Sequence, residues 1–207
     1  MAAEFADQPV LFLEQYYYND YGNRVSRFWA GYSGGQAAVP LTMVDSGQQV
    51  AVGGHADYDA LYRGMIQTAM ARLPQAEIAL ACRRVNDHVE AEVTVTNTSA
   101  ITLSEANEAA VTLLAYEEAR VLWTGRYVRG GGNKAIVEPL APGEARTFHL
   151  ATGTLDVDDW AKVHVVALAD YRPSGHAGPY DMLQAAQRTC GVEDAYRAYV
   201  PLTLNAP

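Results

Sequence analysis

Beyond Pro74 the apolar residues change period, and that change limits the fold more than any other feature of the chain. Glu77 to Val85 and His88 to Thr96 read as two strands joined by an Asn86-Asp87 turn. In the second, Val89, Ala91, Val93 and Val95 fall on one face while Glu90, Glu92, Thr94 and Thr96 fall on the other. Strict alternation of this kind is the signature of a half-buried strand. Further strands are expected at Ala110 to Glu117, Val121 to Arg129, Ala135 to Glu138, Glu144 to Leu150, Lys162 to Tyr171 and Tyr180 to Thr189. They are separated by turn-rich segments such as Gly130-Gly131-Gly132-Asn133 and Pro142-Gly143. Short strands at this spacing predict antiparallel sheets packed as a β-sandwich.

Ahead of Pro74 the reading is mixed. Val10 to Tyr18 is rich in aromatic and β-favouring residues and ends in the turn cluster Asn19-Asp20-Tyr21-Gly22, which predicts a buried strand. Asn23 to Tyr32 sets Val25, Phe28, Trp29 and Tyr32 at helical spacing before Ser33-Gly34-Gly35 breaks the pattern. Val39 to Val44 and Gln49 to Val52 flank Asp45-Ser46-Gly47 as a hairpin. From Asp57 to Leu73, residues Tyr58, Leu61, Tyr62, Met65, Ile66, Ala69 and Leu73 share one helical face, with Asp57 as N-cap and Pro74 as the stop. Helices and a hairpin followed by a run of strands predict an α+β chain divided near Pro74 to Glu77, into residues 1–76 and 77–207.

The hairpin Ala38-Val39-Pro40-Leu41-Thr42-Met43-Val44-Asp45-Ser46-Gly47, a second strand, a glycine pair and an amphipathic helix together resemble the carboxyl half of a thioredoxin fold. The segment that follows carries Asn97-Thr98-Ser99, Leu140-Ala141-Pro142-Gly143-Glu144 and Val165-Val166-Ala167-Leu168 leading to Met182-Leu183-Gln184-Ala185. It is similar to the immunoglobulin-like domain appended to certain secreted bacterial thioredoxin-like proteins. The resemblance implies a truncated thioredoxin-like unit followed by an immunoglobulin-like antiparallel β-sandwich, and a cis peptide bond at Pro40. It also implies an extracytoplasmic setting. The chain departs from the redox members of that family at the decisive point, because it contains no Cys-x-x-Cys. Thiol–disulfide exchange needs an attacking thiolate with a resolving thiol close by.

Cys82 and Cys190 therefore have three readings: a structural disulfide between early and late sandwich strands, two separate buried thiols, or a redox role with one of them as a reactive thiol near Pro40. Lys and Arg number 15 against 24 Asp and Glu, a formal charge of −9, with no basic stripe, so a nucleic-acid partner is not expected. Apolar runs such as Val10 to Leu13 and Val163 to Ala169 are far shorter than the roughly 20 residues that span a bilayer. Met1 to Pro9 carries two acids and no base, unlike a secretory leader, a pattern equally suited to a cytoplasmic chain or to a processed secreted one.

No constellation of catalytic residues emerges. The five histidines, His55, His88, His149, His164 and His176, show no HxH or HxxxH pairing. His55-Ala-Asp57-Tyr-Asp59 and Asp156-Val-Asp158-Asp159 look like fragments of acidic metal loops but lack the glycine and distal Glu of an EF-hand, so neither a metal nor a cofactor is expected. Ser33-Gly34-Gly35 and Gly130-Gly131-Gly132-Asn133-Lys134 do not match phosphate-binding spacings and read as flexible loops. Asn97-Thr98-Ser99 fits the glycosylation sequon but reads more simply as a polar strand end. Tyrosine is over-used, 13 in all, and Tyr16, Tyr17, Tyr18, Tyr21, Phe28, Trp29 and Tyr32 form the candidate interface. The expectation is a non-enzymatic interaction module with a protein partner or a second copy of itself. An atypical thiol–disulfide oxidoreductase and a carbohydrate-binding protein are the alternatives.

Overall fold

A computed structural model of the chain describes residues 4–5, 7–53, 56–121 and 125–190. It is mostly β. Strands β1 (Leu41–Val44) and β2 (Gln49–Val52) form a small hairpin, flanked by helices α1 (Arg24–Gly31) and α2 (Tyr58–Met70). The remaining strands are β3 (Ala76–Val85), β4 (His88–Asn97), β5 (Ala110–Glu117), β6 (Tyr127–Ala135), β7 (Ala145–Ala151), β8 (Val163–Tyr171) and β9 (Asp181–Thr189). They make two antiparallel sheets, ordered β3-β4-β7 and β6-β5-β8-β9.

The alternation that marks β4 decides how the sheets meet. Val89, Val93 and Val95 of β4 join Ile78 and Leu80 of β3 and Phe148 of β7 in one core with Val111, Leu113, Val165, Ala167 and Leu183 of the second sheet. Each Val, Ile, Leu or Phe among them, removed from water, contributes about 1.5 to 3 kcal/mol before the entropy of ordering it is subtracted. The opposite face of the three-stranded sheet carries polar residues such as Glu92 and the Thr94–Thr147 pair, whose hydroxyls lie 2.7 Å apart.

Strand β5 does not alternate: all eight of its residues are buried. Its inward face enters the main core, and its outward face is covered by the amino-terminal segment. Leu114 and Tyr116 of β5, Val128 of β6 and Val166 of β8 form a second cluster with the partly buried Leu11, Leu13 and Tyr21. A strand covered on both faces reads as a near-continuous apolar run, and Ala110 to Tyr116, interrupted by Thr112, is one.

This arrangement corrects the expected fold class. Among the described residues before Pro74 there is one short hairpin with two helices, and no larger sheet on which a thioredoxin-like unit could be built. Val10 to Tyr18, expected as a buried strand, makes a single parallel bridge, Glu14 to Tyr127, and leaves Tyr16, Tyr17 and Tyr18 exposed. The run supplies apolar side chains to a sheet face that already exists instead of pairing into a sheet of its own. The described residues are mostly β with three antiparallel sheets, not an α+β thioredoxin-like unit with a sandwich appended, and two sheets sharing a core do not by themselves make the fold immunoglobulin-like.

The strand expected at Val121 to Arg129 starts later and runs on through Gly130-Gly131-Gly132 to Ala135, so the glycine run is strand and not flexible loop. Close packing explains its composition. A Cβ on Gly132 would lie 2.4 Å from the Ala151 carbonyl oxygen, and one on Gly130 would lie 2.4 Å from Leu155 Cδ2. Among the described residues no helix is long and apolar enough to cross a membrane.

Candidate functional site: a stacked polar ladder and its cleft

The polar residues that the fold buries lie where the amino-terminal layer meets the ends of β8 and β9. Asp170 closes the apolar run of β8 and is fully buried. Its Oδ2 accepts hydrogen bonds from Arg24 Nη1 at 3.0 Å and Arg27 Nε at 3.1 Å, and its Oδ1 accepts one from Arg27 Nη2 at 3.0 Å. Both arginines come from α1, one turn apart, which lets them converge on one carboxylate. Arg24 also donates to Ser46 Oγ at 3.0 Å. Burial is the largest influence on Arg24 and pulls its pKa below the ordinary value; Asp170 opposes this and the neighbouring Arg27 adds to it.

The ladder continues through an aromatic ring. The Arg27 guanidinium carbon lies 4.2 Å from the centroid of Tyr180, and that of Arg172 lies 5.1 Å from the same ring. The Tyr180 hydroxyl donates to Glu108, which also receives Arg172 Nη1 at 3.1 Å and pairs with His176 Nδ1 at 2.9 Å. Glu108 follows the short 3-10 helix Glu105–Asn107, capped by Ser104, and adopts a left-handed backbone, φ 48°. Burial alone pushes its pKa up, but the hydrogen bonds from Tyr180, His176 and Arg172 together outweigh it and hold the carboxyl at about 2. Burial, then the bond to Glu108, pushes Tyr180 up to about 12.

Beside this ladder lies an open cleft of about 320 Å³. Arg27, Glu105, Glu108, Asn133, His176 and Tyr180 line it, with Ala109, Ala110 and Ala135 as its apolar wall. Asn133 is held by a hydrogen bond from its Nδ2 to Thr112 Oγ1 at 2.8 Å. A second anchor, Arg72 after α2, binds Asp45 Oδ2 at 2.8 Å, Gln48 Oε1 at 2.7 Å and Asp181 of β9. Burial pushes Asp45 up in pKa, opposed by Arg72.

The residues singled out from sequence are dispersed. Tyr16, Tyr17 and Tyr18 are exposed and packed on one another, with the Tyr17 and Tyr18 centroids 3.9 Å apart. Trp29 is exposed and meets Phe28 and Tyr32 edge-on at 5.1 and 5.8 Å. Phe28 itself is buried, Tyr21 supports the second cluster, and Tyr32 bonds the Gln36 carbonyl. The Val39–Pro40 peptide is cis, just ahead of β1. Cys82 and Cys190 form a disulfide that ties β3 to the end of β9, with Cα atoms 5.4 Å apart, and among the described residues no cysteine is free.

The remaining motifs have local explanations. His55 lies outside the described residues. His88 sits 3.7 Å from both Asp87 and Glu90, His149 sits 3.7 Å from Glu92, and His164 stacks on Tyr116. Asp57 caps α2 by accepting from Ala60 N–H at 2.9 Å. Asp159 caps a 3-10 turn, and Asp158 pairs with Arg129. Among the described residues no three His, Cys, Asp or Glu side chains are grouped as metal ligands. Asn97 is fully buried and donates to the carbonyls of Ile101 and Leu140, so its sequon is closed to a glycan.

No protein-family model matches this sequence, and no curated protein does. Solved structures with some likeness include the sporulation control protein Spo0M from Bacillus subtilis, at 14% identity and TM-score 0.35 over 58% of this chain and 50% of that one. Red sea bream transglutaminase aligns at 17% identity and TM-score 0.33, over 68% of this chain and 20% of its own. A β-glucosidase from Kluyveromyces marxianus aligns at 14% and 0.31, over 57% and 14%. The chain thus spans half or less of each of these proteins, and likenesses this loose assign neither a family nor an activity.

Proposed function

We propose that this chain is a non-catalytic interaction module of an oxidising, extracytoplasmic compartment, and that it binds a protein partner through Tyr16, Tyr17, Tyr18 and Trp29. The observation that carries the reading is the mutual packing of three consecutive tyrosines that remain 46%, 43% and 68% exposed. Aromatic rings left in water on a chain with two built cores are interface material, because they bring large contact area with few rotors to fix. The formal charge of −9 favours a partner with a basic face over a second copy of the same chain. Cations of such a face would also be drawn to the tyrosine rings. The disulfide supports the compartment, since such bonds persist where thiols are not kept reduced. It joins cysteines 108 residues apart as a long-range staple, which favours a structural role over the oxidoreductase alternative.

The test is site-specific photo-crosslinking from position 18, with position 94 on the solvated face of the three-stranded sheet as the control. A basic partner captured from position 18 alone is then purified. Its affinity for the wild-type chain is compared with that for a Tyr16→Ser/Tyr17→Ser/Tyr18→Ser variant, with a loss of at least about tenfold expected. Equal capture from both positions, or an unchanged affinity, overturns the reading.

A further inference from the structure

The exposed tyrosines among the described residues are consecutive and in contact. Tyr16, Tyr17 and Tyr18 are 46%, 43% and 68% exposed, and every other described tyrosine is partly or fully buried. Neighbouring side chains in an extended strand point to opposite faces. Here the Asn19 amide donates to the Tyr16 carbonyl at 2.9 Å, closing a turn with Tyr17 and Tyr18 at its centre. The turn gathers the rings: the Tyr18 centroid lies 3.9 Å from that of Tyr17 and 5.1 Å from that of Tyr16. A hydrogen bond with Tyr18 is the largest influence on the Tyr17 phenol, whose pKa is pushed up to about 12. That bond brings the two hydroxyls together, and with them the ring carbons beside each hydroxyl.

Competing targets for an oxidant are scarce on this surface. Susceptibility to oxidation follows exposure, and among the described residues no cysteine is free and no methionine is exposed. Trp29 is exposed, but its ring neighbours Phe28 and Tyr32 are buried and half-buried. Tyr58 and Tyr62 form another close pair, with centroids 5.4 Å apart. Both are half-buried, and the Tyr58 hydroxyl donates to the Gly53 carbonyl. Tyr18 is thus the most exposed oxidisable ring described, and it has two further phenols beside it.

We propose that Tyr18 is an oxidative cross-linking site, which couples to Tyr16 or Tyr17 of its own chain when a peroxidase and hydrogen peroxide supply the oxidising equivalents. Two rings each lose one electron and the hydroxyl proton, giving two phenoxyl radicals. A carbon–carbon bond forms between the positions beside the two oxygens, and the hydrogens on those carbons move to the oxygens, restoring two phenols. One hydrogen peroxide accepts the two electrons and two protons and leaves as two waters. Proximity makes the coupling effectively unimolecular, while the formal charge of −9 keeps second copies apart. The product staples the turn that leads into α1. The inference goes beyond the partner reading: it uses the same rings but needs no partner, so each can fail alone.

The test treats the full chain at low concentration with a haem peroxidase and limiting hydrogen peroxide, then measures intact mass and maps the product by proteolysis. A monomer lighter by two hydrogens, with the loss confined to the peptide that holds residues 16–18, is the expected result. Tyr18→Phe keeps the ring and removes the hydroxyl, and it lowers the yield at least about tenfold. The Tyr16→Phe/Tyr17→Phe double variant, which leaves Tyr18 without a phenol beside it in the turn, does the same. The two single variants then show which ring Tyr18 takes, and Tyr58→Phe leaves the yield unchanged. Cross-linked dimers in place of the lighter monomer, a loss mapped outside residues 16–18, no loss at all, or a yield that survives Tyr18→Phe or the double variant overturns the proposal.

Discussion

Arg27 of α1 grips Asp170 of β8 through both carboxylate oxygens, at 3.0 and 3.1 Å, across a junction that no solvent reaches on the acid side. That contact, shared with Arg24, fastens the amino-terminal layer to the four-stranded sheet. Asp170→Asn keeps the shape but leaves two buried guanidinium groups without a charge partner, and is expected to cost about 3 to 5 kcal/mol. Urea unfolding of the full chain measures it. Replacing Arg24, Arg27 and Asp170 together by apolar residues of similar volume is expected to recover most of the loss, because no charge is then left behind.

Glu108 makes stability depend on acid. Its folded pKa of about 2 lies below its ordinary 4.5, so the stabilisation is fully present above the ordinary value and is lost as pH falls from about 4.5 through 2. Glu108 is partly open to water, which screens its partners and reduces the contribution to roughly 1 to 2 kcal/mol. Glu108→Gln should therefore be less stable than wild type at neutral pH and should flatten the stability profile between those limits. Parallel unfolding curves from neutral pH down to about pH 2 provide the check.

The Cys82–Cys190 disulfide spans 108 residues of sequence and closes nearly all of the two-sheet core into one loop. By limiting the unfolded chain it contributes on the order of 4 to 5 kcal/mol. A Cys82→Ser/Cys190→Ser variant is expected to unfold at correspondingly lower urea, and wild type in reductant should match it. A variant as stable as the oxidised protein would mean that the sheets hold their pairing unaided.

How much of this was legible depends on what each signal reports. Alternation in β3 and β4 and helical spacing in α2 report one-sided burial, and those elements lie within a residue or a few of where the pattern puts them. The same logic turned α1 the wrong way. Its apolar spacing favours Val25, Phe28, Trp29 and Tyr32, yet the buried residues are Arg24, Arg27 and Phe28, because the surface it meets presents Asp170. Sequence periodicity cannot see that partner, which lies more than 140 residues away. One clue was present: Asp170 follows directly on the apolar run Val163 to Ala169, where an acid with no counter-ion would be costly. The ladder of Glu108, Arg172, His176 and Tyr180 left no such clue, since it draws on a helix exit and a distant hairpin loop that only the fold brings together.

The glycine run of β6 shows how composition misleads and gives the last test. Three consecutive glycines read as flexibility, but each is in a strand and each lies under a tight neighbour. At Gly132 that neighbour is the Ala151 carbonyl, a backbone atom at the end of β7 that cannot rotate aside. Gly132→Ala therefore has to push β6 and β7 apart where the two sheets approach, at a cost of about 1 to 3 kcal/mol. Gly143, with open space around its Cβ position but φ of 83°, is the contrasting case. There the penalty of Gly143→Ala comes from backbone strain alone, of order 1 kcal/mol. Urea unfolding with hydrogen exchange separates the two: Gly132→Ala should speed exchange at β6 and β7 amides, whereas Gly143→Ala should leave β6 protected. Unchanged exchange at β6 in Gly132→Ala would show that the sheets can yield there, and the glycine run would then need another explanation.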